Sequence, residues 1–307
     1  MRYAVIGTGA VGGYYGGRLA NAGHDVHFLL HSDYDYIKQN GLQVDSCNGS
    51  FHLDSPNIYR STADMPKADV VIVALKTTRN QLLKELLPPL LHSETLVLLI
   101  QNGIGPEPEL QQWFPNLYIA AGLAFICSAK TEPGRVNHQC YGNINIGNYS
   151  CKNTEIIDCL MSDFIQSGIN AALVEYHEAR WKKAVWNMPF NGMTVVMNAQ
   201  TDKLLAQPDT LSLIRRQMLE VIGAAQALGV KNIDATFADK MIENTIKMVP
   251  YSPSMKLDYE YHRPMEIDFL YTNAIKAAHS VGYAMPCLEM LEAQLRFIDS
   301  HNCSSEQ

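Results

Sequence analysis

The sequence lacks the surplus of basic residues that binding to a nucleic acid demands. Its 24 Lys and Arg are outnumbered by 31 Asp and Glu, giving a formal net charge of −7. Affinity for a polyanion comes from clustered cations that release counterions, so this balance argues against a general nucleic-acid binder. A small anionic ligand stays open, because a few Lys or Arg can act locally. Long apolar runs are also missing. Stretches such as Ile119 to Ala129 fall short of the roughly 20 residues a membrane-spanning helix needs. The start, Met1-Arg2-Tyr3-Ala4-Val5-Ile6-Gly7, passes straight into a strand pattern with no basic segment or small-residue cleavage site, so no signal peptide is expected. The seven cysteines are odd in number and show no CxxC spacing. That favours neither a disulfide framework nor a zinc site. Reduced thiols in a cytoplasmic protein are the expectation, with no membrane or nucleic-acid partner and a monomer or homodimer as the assembly.

What is present is a globular composition. The chain has 307 residues, 47% hydrophobic and 18% charged, enough for about two domains at roughly 150 residues each. Short β-branched runs occur at 3–6, 26–30, 69–75, 95–100 and 117–126. Each is apolar almost throughout, as a strand covered on both faces should be. Helical stretches at 11–22, 34–40, 80–91 and 108–113 lie between several of them, and the βαβα order predicts a parallel sheet with helices on both sides. Two further short strands, 135–138 and 143–146, flank Cys140; Gly134, Gly142 and Gly147 punctuate them and predict an antiparallel hairpin at the sheet edge. A helix over 154–166 and a last strand over 172–175 complete this half.

From His177 onward strand signals nearly stop, and helices are predicted over 178–198, 208–228, 234–247, 265–281 and 288–299. Asp209 can cap the second, Asp234 the third, and Pro286 can begin the fifth. The fold class is therefore α/β followed by all-α: a Rossmann-type parallel-sheet domain over 1–175 and a helical domain over 176–307. The polar tail from His301 to Gln307 is expected to fray.

Gly7-Thr8-Gly9-Ala10-Val11-Gly12 matches GxGxxG between a strand and a helix. Gly7 allows the tight turn, Gly9 lets the backbone approach a pyrophosphate, and Gly12 permits close helix–strand contact. The free N–H groups at the helix start then face the phosphates. An NAD site usually has Asp or Glu at the end of the second strand, where it bonds the ribose hydroxyls. Here that strand ends Phe28-Leu29-Leu30-His31-Ser32. Asp33 comes late enough to be a helix-cap residue. The missing acid favours NADP(H), with His31 and Ser32 as hydrogen-bond donors to a 2′-phosphate and Lys76 as a further cation. Further on, Gln101-Asn102-Gly103 follows a strand at its C-terminal end, where ligands bind in open α/β sheets; a turn-forming Asn-Gly is the structural alternative.

In the helical half, Lys183, Asn187 and Asn191 recur at i, i+4 and i+8 and share one face of a helix. Asn is a poor helix former, so two of them in an apolar helix call for a polar role, either capping neighbouring loops or binding a ligand. Lys182 lies about 100° around the helix and is expected to face solvent. Ser254 begins a segment that can cap a helix. Glu266 lies in the first turn of an apolar helix, where a carboxylate favours the positive helix end. Capping alone accounts for either.

Taken together and in order, these segments resemble the ketopantoate reductase family, also called 2-dehydropantoate 2-reductases. The matching pieces are Gly7 to Gly12, Ala74-Leu75-Lys76, Gln101-Asn102-Gly103, Trp181-Lys182-Lys183-Ala184-Val185-Trp186-Asn187 with Asn191, and Ser254-Met255 with Glu266-Ile267-Asp268; they span residues 7 to 268. The resemblance implies a Rossmann domain followed by a helical domain, with the active site between them, and NADPH-dependent reduction of ketopantoate to pantoate on the way to pantothenate and coenzyme A. It implies that Lys183 is the catalytic lysine, Glu266 the active-site carboxylate and Asn102 the loop asparagine beside the nicotinamide. Asn187, Asn191 and Ser254 become substrate-binding residues, and Gly7, Gly9, Gly12 and Lys76 cofactor contacts. One position departs: family members commonly carry Arg where His31 stands, and that Arg meets the 2′-phosphate. Within the same frame the alternatives are a relative acting on another 2-keto or hydroxy acid, a 3-hydroxyacid dehydrogenase, or a dinucleotide sensor that keeps the glycine turn without catalysis.

Overall fold

A computed structural model describes residues 1–302. Of the tail expected to fray, His301 and Asn302 close the last helix, while residues 303–307, Cys303 among them, lie outside the described residues. The chain divides into two compact units, one of residues 1–101 with 106–176 and one of residues 102–105 with 177–307.

In the first unit the strands are β1 (Arg2–Ile6), β2 (Asp25–Leu29), β3 (Leu42–Ser46), β4 (Phe51–Leu53), β5 (Asn57–Tyr59), β6 (Val70–Val73), β7 (Leu96–Leu99), β8 (Tyr118–Glu132), β9 (Arg135–Asn148) and β10 (Ala171–Val174). Its helices are α1 (Ala10–Asn21), α2 (Tyr34–Asn40), α3 (Leu83–Leu86), α4 (Pro106–Trp113) and α5 (Thr154–Gln166). The strands form one sheet in the order β4-β3-β9-β8-β7-β6-β1-β2-β5, with β10 also on β9. From β5 through β8 every pairing is parallel.

The period of two explains why the central strands read as continuous apolar runs. Val5, Ile72 and Leu98 enter one buried cluster, while their neighbours Ile6, Val73 and Leu99 enter another on the opposite face. A strand covered on both sides has no position left for a polar residue.

The hairpin differs from expectation. β9 is one long strand antiparallel to β8, and it lies inside the sheet, because β3 pairs with its beginning and β10 with its end. Gly142 read as a turn. It sits instead at a register shift, beside Tyr141, with φ of 99° and 64° respectively. An irregular pair of this kind bends a strand without ending it. The actual turn is Pro133-Gly134. Strands β3, β4 and β5 were not expected; at three to five residues with half-polar sequences they carry little periodic signal. The helix predicted over 80–91 is broken into a 3₁₀ turn (Thr77–Leu82), α3 and a second turn (Pro88–Leu90); α3 stops where Pro88-Pro89 cannot supply the helical N–H groups.

The second unit holds α6 (Tyr176–Val196, from its second residue), α7 (Thr201–Ala206), α8 (Pro208–Ala227), α9 (Ala235–Ile246), α10 (Ser254–Glu260), α11 (Asn273–Ser280) and α12 (Pro286–Asn302) around a single apolar core. Asp234 caps α9 through the Thr236 N–H at 3.0 Å. Asp209 does not cap α8: Gln207 holds the cap position, Pro208 starts the helix, and Asp209 lies in the first turn. The helix expected over 265–281 starts as a π-helical turn, Asp268–Thr272, before α11. α7 and α10 were not expected. No helix among the described residues is long and apolar enough to cross a membrane.

Buried Glu220 on α8 accepts hydrogen bonds from the Cys287 and Leu288 N–H groups, at 3.0 and 3.1 Å, and so holds the start of α12. α12 in turn carries Asp299, whose Oδ1 accepts the Met265 N–H at 3.0 Å, one residue before Glu266. Glu220→Ala leaves two buried donors unmet and is expected to lower the unfolding free energy by about 2 kcal/mol, in the range for hydrogen bonds to a charged group, read by urea denaturation.

Candidate active site

In the first unit the glycine turn is built from three glycines with different reasons. Gly7 has φ of 93°, and a Cβ there would lie 2.6 Å from the Leu75 nitrogen. A Cβ on Gly12 would lie 2.3 Å from the Gly7 carbonyl oxygen. Both are therefore demanded by the protein's own backbone. Gly9 is different: its φ is −90°, and a Cβ would meet no protein atom within 4 Å. The open volume stands at the N-terminus of α1, where N–H groups of the first turn have no helical acceptor and favour an anion. Thr8 Oγ1 donates to the Leu29 carbonyl at 3.1 Å and ties the turn to the end of β2. Ala10 and Val11 form the first helical turn, with Ser128 Oγ donating to the Ala10 carbonyl at 3.4 Å. This cradle fits the diphosphate of a dinucleotide.

At the end of β2, His31 and Ser32 are exposed. Asp33 is buried, and its carboxylate does not cap α2 as expected. It accepts from Lys130 Nζ at 2.6 Å, the Gly134 N–H at 3.1 Å and Ser32 Oγ at 3.0 Å. Burial works against its ionisation, but these three bonds together outweigh it and hold the carboxyl below the usual carboxylate range. Asp33, the acid nearest this strand end, is therefore bound into the β8–β9 turn. Lys76 is exposed, at the cap of the 3₁₀ turn after β6. Buried Asn80 donates to Glu109 at 3.1 Å and accepts from Gln101 Nε2 at 2.7 Å; Gln101 also donates to the Leu75 carbonyl at 2.9 Å. That network was not foreseen, because Asn80 reads as an ordinary helix start.

In the second unit, Lys183, Asn187 and Asn191 do share a face of α6, with Lys183 half-buried and both asparagines buried. Lys182 leaves that face to bond Glu178 at 2.5 Å, one turn back. Asn191 is partly committed to structure: its Oδ1 accepts the Met255 N–H at 3.0 Å, and its Nδ2 donates to the Asn187 carbonyl at 2.9 Å. The first of these bonds ties α6 to the first turn of α10. Ser254 is half-buried and is the first residue of α10; Pro253 holds the cap position, so the hydroxyl is not a helix cap. Glu266 is buried and lies two residues before the π-helical turn, ahead of the helical first turn in which it was expected. Asn102 sits on a loop clamped to that same turn. The Ile104 N–H donates to the Phe269 carbonyl at 2.8 Å, and Asn273 Nδ2 to the Ile104 carbonyl at 3.0 Å. A Cβ on Gly103 would approach the Phe269 oxygen to 2.2 Å, so this loop needs its glycine.

Lys183 is the electrostatic centre of this unit. Loss of water around the ammonium pushes its pKa down to about 7; the positive charge of Arg180 adds to the fall, and the Glu266 carboxylate opposes it. Arg180, buried and one turn upstream on α6, was missed by the sequence reading. Its signal was available, since positions 180 and 183 are neighbours on a helical face.

Comparison with known proteins decides the family. The family described as Ketopantoate reductase PanE/ApbA matches residues 3–150, and its C-terminal counterpart matches residues 175–299. The chain belongs to the ketopantoate reductase family. It is 45% identical to a 2-dehydropantoate 2-reductase of Nostoc sp., across 98% of this chain and 96% of that one. A crystal structure of 2-dehydropantoate 2-reductase from Geobacter metallireducens superposes with a TM-score of 0.94 at 39% identity, covering 97% of this chain and 99% of that one. Another from Methylococcus capsulatus gives 0.90 at 32%, covering 100% and 99%.

The three glycines should separate experimentally. Gly12→Ala is expected to cost about 1–3 kcal/mol as an overpacked contact, visible as a lower melting temperature. Gly9→Ala should melt like the wild type but bind a nicotinamide dinucleotide roughly tenfold or more weakly, as when a charge-assisted hydrogen bond is lost. Calorimetric titration and thermal melting of both variants check this pair of outcomes.

Proposed function

We propose that this chain is an NADPH-dependent 2-dehydropantoate 2-reductase that reduces the ketone of ketopantoate to the hydroxyl of pantoate, in the cytoplasm, as a monomer or homodimer. In this reading, residues 1–175 serve the cofactor and residues 176–307 the substrate and the proton chemistry. Ketopantoate reductases use NADPH, and the missing acid at the end of β2 agrees with it. The observation that carries the reading is Lys183, a lysine with its pKa near 7 on a helix face with two buried asparagines. That is what a proton donor to a ketone oxygen needs at neutral pH.

Bound at the glycine turn, a nicotinamide dinucleotide would supply a hydride to the ketone carbon. Gly7, Thr8, Gly9, Ala10, Val11 and Gly12 would hold its diphosphate, with His31, Lys76 and Asn102 at other parts of the cofactor. Lys183 stabilises the negative charge that develops on the ketone oxygen and gives it a proton. Glu266 opposes the loss of that proton before reaction. Asn187 and the remaining N–H of Asn191 offer donors and acceptors suited to the substrate hydroxyl, and the Ser254 hydroxyl can donate to the substrate carboxylate. The readings as a different 2-keto acid reductase or as a sensor have no comparable support, since full-length identity of 45% joins this chain to a relative named for this reaction.

The pH dependence follows in sign. Reduction needs Lys183 protonated, so kcat/KM for reduction should be level below about pH 7 and fall as pH rises through it. Oxidation of the hydroxy acid needs the neutral amine and should rise over the same interval. Lys183→Ala should lower kcat by roughly 10²-fold or more and remove this pH dependence, while Lys182→Ala should leave both near wild type. A Lys183→Ala enzyme with near-normal kcat overturns the assignment.

Substrate choice is tested by 2-ketoisovalerate, which lacks the hydroxyl of ketopantoate. A site built to bond a hydroxyl leaves buried polar groups unmet without it. Ketopantoate should therefore have the higher kcat/KM with NADPH, and equal values for the two acids would remove the asparagines from substrate recognition.

A further inference from the structure

At the end of β2, where the adenosine ribose of a dinucleotide lies in folds of this type, position 31 is His and the nearest acid, Asp33, is bound to Lys130. The sheet supplies a cation from the neighbouring strand. β5 pairs parallel with β2 in the register His27↔Asn57, Phe28↔Ile58 and Leu29↔Tyr59. The ladder continues one step further, with the Leu30 N–H donating to the Tyr59 carbonyl at 2.8 Å. Continuing that register puts Arg60 beside Leu30, the residue before His31. Neighbouring strands are about 4.8 Å apart, well within the reach of an arginine side chain.

Arg60 is held in place without being buried. Its Cζ lies 4.2 Å from the centre of the Tyr34 ring, one of its terminal nitrogens donates to Asp35 Oδ1 at 2.6 Å, and its side chain is 55% exposed. A guanidinium has five N–H donors, so most remain for another acceptor. The pair with Asp35 is exposed and screened by water, which makes it a weak restraint. The other cations nearby are less suited. Lys130 is bound to the buried Asp33 at 2.6 Å, which cancels its charge. Lys76 follows β6, and β1 stands between β6 and β2, a separation of two strand spacings or about 10 Å.

We propose that Arg60 is the residue that selects the 2′-phosphate of NADP(H), reaching it from the strand beside the one that ends at His31. The inference rests on the NADP(H) reading above. A phosphate monoester carries close to two negative charges at pH 7 against one on Asp35, so it draws the guanidinium from the carboxylate, and the planar fork meets two phosphate oxygens at once. Stacking on Tyr34 orders the guanidinium before the ligand arrives. Asp35, with its single charge, holds the arginine when the ligand has no phosphate and also repels the phosphate to a degree. Its removal therefore has a predictable sign.

The test is calorimetric titration of the intact protein with NADPH and with NADH, repeated for Arg60→Gln, Arg60→Lys and Asp35→Asn. The expected result is NADPH preference in the wild type, a loss of roughly 10- to 100-fold in NADPH affinity for Arg60→Gln with NADH unchanged, and partial retention for Arg60→Lys. Asp35→Asn should tighten NADPH and leave NADH alone. Equal weakening of both cofactors by Arg60→Gln would mean a structural role and overturns the proposal, as does a wild-type NADPH preference that survives the substitution. A wild type that binds NADH as tightly as NADPH removes the NADP(H) reading itself, and the proposal with it. Thermal melting of each variant checks that the fold is kept.

Discussion

Taking the water away from one ammonium group organises the chemistry of this protein. A lysine in water stays charged far above neutral pH. The same side chain on the second turn of α6 is brought near neutrality by its surroundings, with Arg180 pushing in the same direction and Glu266 against it. Each of the supports around Lys183 can be traced to a need of this arrangement. Glu266 is fixed because the Met265 N–H is bonded to Asp299 of α12, and α12 is fixed because Glu220 holds its first two N–H groups. The Glu266 charge offsets only part of the desolvation of Lys183, and two helices, α8 and α12, are engaged in holding the backbone beside that carboxylate.

The glycine turn shows the complementary situation, a place where the protein's own packing does not explain the residue. Gly7 and Gly12 are enforced by carbonyl and amide atoms within 3 Å of any Cβ, whereas Gly9 borders open volume. Two glycines make the turn, and the third keeps it clear for something outside the chain. The end of β2 follows a similar logic. The acid that would bind a ribose hydroxyl is absent from the strand end, and the nearest one, Asp33, is consumed by Lys130, Ser32 and the Gly134 N–H.

Much of this was legible beforehand. The apolar strands of the sheet centre, the GxGxxG turn, the α5 and α6 helices, the Asp234 cap and the start of α12 at Pro286 all follow from period, spacing and residue type. The misses share a cause. β3, β4 and β5 are too short for a period to declare itself, and Gly142 looked like a turn because a bulge and a turn ask the same conformational freedom of glycine. The Lys183–Asn187–Asn191 face was visible from spacing alone. The second employment of Asn191, bonded to the Met255 N–H some 64 residues away, was not, because nothing local to either segment refers to the other.

By itself the sequence determined the local matters: which stretches are covered on both faces, where the backbone must turn at glycine, and which polar side chains ride together on a helix. These depend on residues within a few positions of each other, where the period of a strand or helix fixes direction. Only the tertiary structure decided the charges. Whether Lys183 is an ordinary ammonium or a proton donor near neutrality, whether Asp33 is available or spent, and whether an arginine stands beside Leu30 at the end of β2 all depend on groups brought together from distant parts of the chain. Electrostatic energy is set by separation in space and by excluded water, and neither quantity is written in the order of the residues.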